Sequence, residues 1–298
     1  MTGTPIIHAV ARGHEPLIIN LAVTGMVPTK EHTPHVPITP DEIIEDVKQC
    51  RELGVSTVHV HARDEDEAPT HRKEYFAPII EGIREVDPEL VVCATCSGRR
   101  VGEVEKRSEV LELEGAAKPD MGSLTLGSYN FRSQASVNTP EVITGIAERM
   151  AKYGIKPELE VFEPGMVAYG AFLAERGVIE KDGYVNILLG NPGSAPLTAG
   201  SLNAFLELKP DGWLWGLAGI GRHQLDANML AIALGGHVRV GVEDNIWWDQ
   251  ERTRLASNPD LVRRVRQIAE IADRPIATPS WTRERLGLQR EAAVSPAS

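Results

Sequence analysis

His59 and His61 stand one residue apart in the β-branched run TVHVHAR that starts at Thr57. Alternation along a strand sends residues i and i+2 to one face, so both imidazoles leave the strand together. Such a pair reads as two metal ligands, or as two polar side chains making ordinary hydrogen bonds. A second run, HVRVGVEDN from His237, carries Arg239, Glu243, Asp244 and Asn245. Glu243 would complete a set of two histidines and one carboxylate with an open position, the donor set of a catalytic zinc acting as Lewis acid. The same donors also accept cobalt, manganese or iron. If the strand stays extended, Asp244 points away from Glu243. With Arg239 nearby it reads as a general base kept ionised by the guanidinium, or as half of a structural ion pair.

Elements that could carry these residues recur along the chain. Apolar strand-like runs begin at Pro16, Thr57, Leu90, Met121, Pro157, Val185, Trp213 and His237. Amphipathic segments separate them. Thr39-Pro40-Asp41-Glu42 is a capping box, followed by an apolar stripe of Ile43, Ile44, Val47, Cys50 and Leu53. Asn258-Pro259 opens the last long helix, with a core side of Leu261, Val262, Val265, Ile268 and Ile271. Strand and helix alternating through eight strands predicts an α/β TIM (β/α)8 barrel, with an open doubly wound sheet as the alternative.

A barrel of this kind holds its site at the C-terminal ends of its strands. The polar residues collected there are His59, His61, Arg63 and Asp64, then Thr95, Cys96 and Ser97, then Ser123 and Thr125. Glu158, Glu160 and Glu163 follow, and strand 8 adds the acidic pair. Cys93 and Cys96 match C-x-x-C, but residues three apart on a strand face opposite ways, so they read as separately packed thiols. No G-x-G-x-x-G is present, which argues against a nicotinamide fold. Gly219 and Gly221 suit either a phosphate-binding loop or simple turns.

The chain has 298 residues with 42% apolar and 24% charged residues, ordinary for one globular barrel domain over 1–298. The tail from Leu286 to Ser298 reads as loosely held. A net charge of −11 argues against nucleic acid or an anionic membrane as partner. Three cysteines, no signal-like N-terminus and no long apolar run predict a cytoplasmic protein.

Taken in order, AVTG followed by PITPDEI, then VHVHAR, PELEVFEPGM, AGIGR and HVRVGVEDN make this sequence resemble the β-keto acid cleavage enzymes, from Leu17 to Pro279. The resemblance implies a zinc-dependent TIM barrel, homotetrameric, that converts a β-keto acid and acetyl-CoA into acetoacetate and a new acyl-CoA. In that reaction an enolate attacks acetyl-CoA, CoA migrates to the original keto carbon, and a retro-Claisen step releases acetoacetate. By position, His59, His61 and Glu243 match the zinc ligands, Asp244 the base, Arg239 its partner, and Glu160 an inward carboxylate of strand 5. Thr95 matches the serine of a Ser-Thr-Gly-Gly turn that here reads Thr95-Cys96-Ser97-Gly98; with Ser123 and Thr125 these residues would contact substrate.

The pattern also departs from the aminohexanoate-cleaving members, which carry a glutamate for the substrate amine just after the strand 1 Thr-Gly. Here Met26-Val27 follows, and an apolar Val27 cannot neutralise an ammonium. Lys30, His32 and His35 of the same loop suit an anionic or polar tail, or are merely solvated. Arg99, Arg100 and Arg222 are the rim candidates for the CoA phosphates. Two other readings remain: a CoA-independent metal-dependent aldolase or hydrolase on the same barrel, and a non-catalytic barrel that binds a metal or senses a ligand.

Overall fold

The computed structural model describes residues 14–132 and 134–288. Eight parallel strands close into a barrel in which each strand pairs with its sequence neighbours and the last returns to the first. They are β1 (Ile19–Ala22), β2 (Thr57–Val60), β3 (Val91–Ala94), β4 (Met121–Thr125), β5 (Lys156–Val161), β6 (Tyr184–Leu189), β7 (Leu214–Gly219) and β8 (His237–Val240). All eight predicted strands are present. The doubly wound alternative is excluded by closure, since Ile19 pairs with Val238 and Asn20 with Arg239.

Helices α1 (Pro40–Glu52), α2 (Lys73–Val86), α3 (Val104–Arg107), α4 (Pro140–Tyr153), α5 (Pro164–Glu175), α6 (Ala199–Leu208), α7 (Gln224–Leu234) and α8 (Asn258–Ile271) follow the strands one for one. α3 is a single turn extended by two 3₁₀ turns, so the β3–β4 crossover is the weakest part of the outer layer. Branched and aromatic side chains from the strands pack against the apolar stripes of these helices in one continuous core. A smaller cluster of Ile18, Val91, Met121, Leu214 and Leu286 closes the N-terminal end of the barrel, against α9 (Pro279–Arg285). Leu286 is thus buried, not part of a loose tail; residues 289–298 lie outside the described residues. Among the described residues no helix is long and apolar enough to cross a membrane.

The α1 start is the expected capping box, with the Glu42 amide donating to Thr39 Oγ1 and the Glu42 carboxylate accepting from the Thr39 amide. At α8 the cap falls one residue earlier than the sequence suggested: Ser257 caps, reciprocated by Asp260. Asn258 is freed for another task. Its fully buried side chain donates to Val23 O and Asp46 Oδ2 and accepts from the Val242 amide, joining the ends of β1 and β8 to α1. Ile271, expected on the core side, is 87% exposed at the helix end; Ala269 is buried instead.

These two neighbours make a paired test. Ser257→Ala removes a cap and is expected to lower the unfolding free energy by about 1 kcal/mol. Asn258→Ala strands two buried backbone groups and the partly buried Asp46, and is expected to lower it by about 3 kcal/mol. Urea unfolding of both variants checks the order, and equal losses would contradict the staple role of Asn258.

Candidate active site

β2 ends at Val60, so His59 lies on the strand and His61 just beyond it. Register places His59 beside Ala22 of β1 and Cys93 of β3, facing the barrel interior. Its Nδ1 lies 2.8 Å from Glu158 Oε2, which fixes the tautomer and leaves Nε2 with a free lone pair. That Nε2 faces His61 Nε2 at 3.4 Å, and His61 Nε2 lies 3.4 Å from Glu243 Oε1. Four donors around an ion at zinc–nitrogen bond lengths stand about 3.3 Å apart, so both spacings suit a tetrahedral site.

Two further features fit a cation. Glu243 Oε2 is buried without any hydrogen-bond partner. Buried carboxylates Glu158, Glu160, Glu243 and Asp244 also outnumber the one guanidinium among them, Arg239, and buried charge of one sign needs compensation. His59, His61 and Glu243 could therefore hold a divalent metal. His59, Cys93 and Glu158 also cluster, but Glu158 is already satisfied there by Asn20 at 2.6 Å, His59 and the Cys93 thiol. Burial pushes Cys93 well above the usual thiol range and Cys96 up to about 12, so neither is a thiolate, in keeping with separately packed thiols.

Glu243 and Asp244 share the site because β8 stops at Val240. The chain then turns, with the Asp244 and Asn245 amides donating to Gly241 O. The extended strand expected through Asp244 would have pointed the two acids apart. Arg239 reads the turn: Nη2 donates to Glu243 Oε1 at 2.7 Å, Nε to Asp244 Oδ2 at 3.1 Å and Nη1 to Glu160 Oε1 at 3.2 Å. Thr125 Oγ1 donates to the other Glu160 oxygen at 3.0 Å. Gly25, at φ +71°, is needed because a Cβ there would fall 2.4 Å from Glu243 Cγ.

Charge follows from this packing. Burial opposes ionisation of Glu243, but Arg239 and the two histidines hold it well below the usual carboxylate range. Burial lifts Asp244 above the ordinary aspartate value, Arg239 opposes the shift and Glu243 adds to it. His59 is lowered by burial and Arg239, yet Glu243 and Glu158 leave it raised overall.

The loop after β3 is built on the expected hydroxyls. Thr95 Oγ1 accepts from the Ser97 amide at 3.2 Å, and Ser123 Oγ accepts from the Cys96 amide at 3.0 Å. Gly98 lets the buried Arg107 lie against the turn, since a Cβ would meet Arg107 Nη1 at 2.4 Å. Thr95, Ser97, His61 and Met26 line one pocket together with Arg100 and Arg107.

Other predicted residues do not line this pocket. Val27 is 61% exposed, and Met26 lines the pocket in its place. The Lys30 ammonium is engaged by Glu42 at 2.7 Å instead of standing free for a substrate. Arg99 stacks on the Phe131 ring, 3.3 Å from its centroid, and Arg222 is exposed on the β7 loop. Glu158 was missed as the partner of His59. Its i, i+2 relation to Glu160 was the available signal, since both must face inward.

Comparison with known proteins agrees with this architecture. A family model described as beta-keto acid cleavage enzyme matches residues 16–288. The 3-keto-5-aminohexanoate cleavage enzyme of Fusobacterium nucleatum is 38% identical over 93% of this chain and 99% of its own. The 3-oxoadipate:acetyl-CoA acetyltransferase of Cupriavidus necator is 36% identical over 92% of this chain and 95% of its own. Among solved structures, the ternary complex of ObcA with a C4-CoA adduct and oxalate superposes with a TM-score of 0.73 at 19% identity, covering 86% of this chain and 68% of that one, which speaks to the fold. On the sequence match across nearly its whole length, the chain belongs to the beta-keto acid cleavage enzyme family.

Proposed function

We propose that this protein is a divalent-metal enzyme, with zinc the preferred ion, that converts a β-keto acid and acetyl-CoA into acetoacetate and an acyl-CoA. The observation that carries the reading is the convergence of His59, His61 and Glu243, with His61 Nε2 3.4 Å from both of the other donors, beside an Asp244 held by Arg239. The names of the relatives, which include transferases that use acetyl-CoA, support the reaction class.

When bound, the metal supplies Lewis acidity that disperses the negative charge growing on the keto and carboxylate oxygens of the substrate. Asp244 takes the α-proton. Arg239 holds its Oδ2 and leaves Oδ1 to act, and the raised affinity of this carboxylate for protons strengthens it as a base. The resulting enolate attacks the acetyl carbonyl and expels CoA thiolate; the thiolate attacks the original keto carbon, the C–C bond breaks to give the acyl-CoA, and the departing enolate takes the proton back from Asp244 to become acetoacetate. Glu160, fixed between Thr125 and Arg239, keeps the guanidinium aligned with Asp244. Thr95 and Ser97 offer hydroxyls to substrate oxygens from the pocket wall.

Chelation is expected to abolish acetoacetate formation, and added zinc to restore it. Asp244→Asn should lower kcat by roughly 10²- to 10⁴-fold with zinc content and KM for the keto acid little changed. Turnover that persists without acetyl-CoA would favour the CoA-independent aldolase or hydrolase.

Glu158 gives a pH test that needs no turnover. Despite burial, its bonds from His59 and the charges of His59 and Arg239 take it from 4.5 to about 2 in the fold. A depressed folded value stabilises the protein above pH 4.5 and loses that effect as pH falls towards 2. The melting-temperature gap between the metal-free wild type and Glu158→Gln should therefore be widest above pH 5 and shrink on acidification to pH 3. A gap independent of pH would rule out an ionised Glu158 behind His59.

A further inference from the structure

The pocket that opens on His61 carries charge opposite to the carboxylates below it. Its wall includes His71, Arg100 and Arg107 but no carboxylate. Arg107 is 3% exposed, donates from Nε to Cys96 O at 3.0 Å and from Nη2 to Asn138 Oδ1 at 2.7 Å, and has no partner for Nη1. Neighbouring Arg63 is also buried and bonds only to carbonyls, those of Gly25, Pro28 and Glu67. Arg100 is close enough for its charge to depress Arg63, after the larger effect of burial. Among the described residues none of these three guanidiniums forms an ion pair with a carboxylate. Arg63 and Arg107 hydrogen-bond only to carbonyl oxygens. The charges of Glu243, Glu67 and Asp64 act on Arg63 and that of Glu160 on Arg107, but none pairs with them. An anion in the pocket against Arg107 and the exposed Arg100 therefore offsets charge that is otherwise unpaired. Gly98 belongs to this arrangement, because a Cβ there would push on the Arg107 guanidinium as it now lies.

We infer that this pocket is the subsite for the far end of the keto acid, and that the substrate is a 3-oxo diacid whose second carboxylate sits against Arg100 and Arg107. The inference rests on the cleavage reaction proposed above, in which the keto end lies at His61. A carboxylate a few bonds from the keto carbon can reach a wall that begins at His61 itself, whereas the pantetheine arm separates the CoA phosphates from the reacting thioester. Arg100 suits the task because its planar fork meets a carboxylate with two parallel hydrogen bonds, while Arg107, with Nε and Nη2 already engaged, adds its unpartnered Nη1. A cationic tail would meet like charge here, and Met26, which lines this pocket, supplies no acid to offset it.

The test has a binding arm and a turnover arm. Calorimetry on the purified enzyme compares adipate with hexanoate, and kinetics with acetyl-CoA compare 3-oxoadipate with 3-oxohexanoate, each for wild type and Arg100→Gln. The wild type should bind adipate at least about tenfold more tightly than hexanoate and prefer 3-oxoadipate by a similar factor in kcat/KM. In Arg100→Gln the loss should fall at least about tenfold harder on the diacid, through KM, with Arg100→Lys recovering part of it. Equal affinities, or equal losses for both acids, would overturn the subsite. A loss confined to the KM of acetyl-CoA would overturn it too, by giving the pocket to the coenzyme phosphates. Selective adipate binding with no acetoacetate from any acid would sink the cleavage reaction and leave the anion subsite standing; acetoacetate from both acids without preference would do the reverse.

Discussion

The Arg239 guanidinium sets the geometry of the barrel mouth. It is 2% exposed, and a charge so buried is tolerated only when its hydrogen-bonding nitrogens meet charged partners. Glu160 comes from β5 across the barrel, while Glu243 and Asp244 come from the turn after its own strand. To bring both acids of that turn onto one side chain, β8 must break its extended course at Val240. Gly241 permits the break, since a Cβ there would fall 2.0 Å from Ala22 O, and Gln224 Nε2 caps the Gly241 carbonyl at 2.8 Å. The position of Glu243 over the histidines of β2 is thus a consequence of pairing one arginine.

Above and below His61 the field changes sign. The floor gathers four carboxylates around Arg239, while the segments after β2 and β3 gather Arg63, Arg100 and Arg107, none of them ion-paired among the described residues. In a chain of net charge −11 such a segregation is not the average surface showing through. It divides the labour of the proposed reaction: the floor would hold a cation and supplies the base, and the wall would hold an anion. Short distances in a partly desolvated pocket make both halves stronger than the same charges would be in water.

Much of this was legible in the sequence where local rules decide. Eight β-branched runs and capped amphipathic segments lead to a closed barrel, and strand parity alone puts His59 and His61 together. Parity failed at Asp244, because a buried ion-pair cluster, not the strand, decides where β8 ends. It would have succeeded at Glu158, whose inward position two residues before Glu160 implied a partner. Asn258 looked like a cap because asparagine favours caps, yet Ser257 takes that place and Asn258 satisfies backbone groups of β1 and β8 that are distant in sequence. Lys30 and Arg107 show the same limit in opposite directions: a loop lysine proved paired, and an arginine of a short helix proved to be a buried wall of the pocket.

The donor atoms also owe their placement to contacts that need no ion. Glu158 orients His59, Arg239 orients Glu243, and Gly25 leaves room for the Glu243 stem, all within a barrel closed by its own core. A metal arriving at such a site binds a formed cradle, unlike a zinc finger in which the ion assembles the fold. Preorganisation of this kind confines the effect of losing a ligand. Replacing His61 removes a donor but leaves Glu243 held by Arg239, whereas replacing Arg239 releases Glu160, Glu243 and Asp244 together. The arginine, which touches no ion in the proposed site, is therefore the side chain on which the proposed metal cradle, the proposed base and the local fold jointly depend.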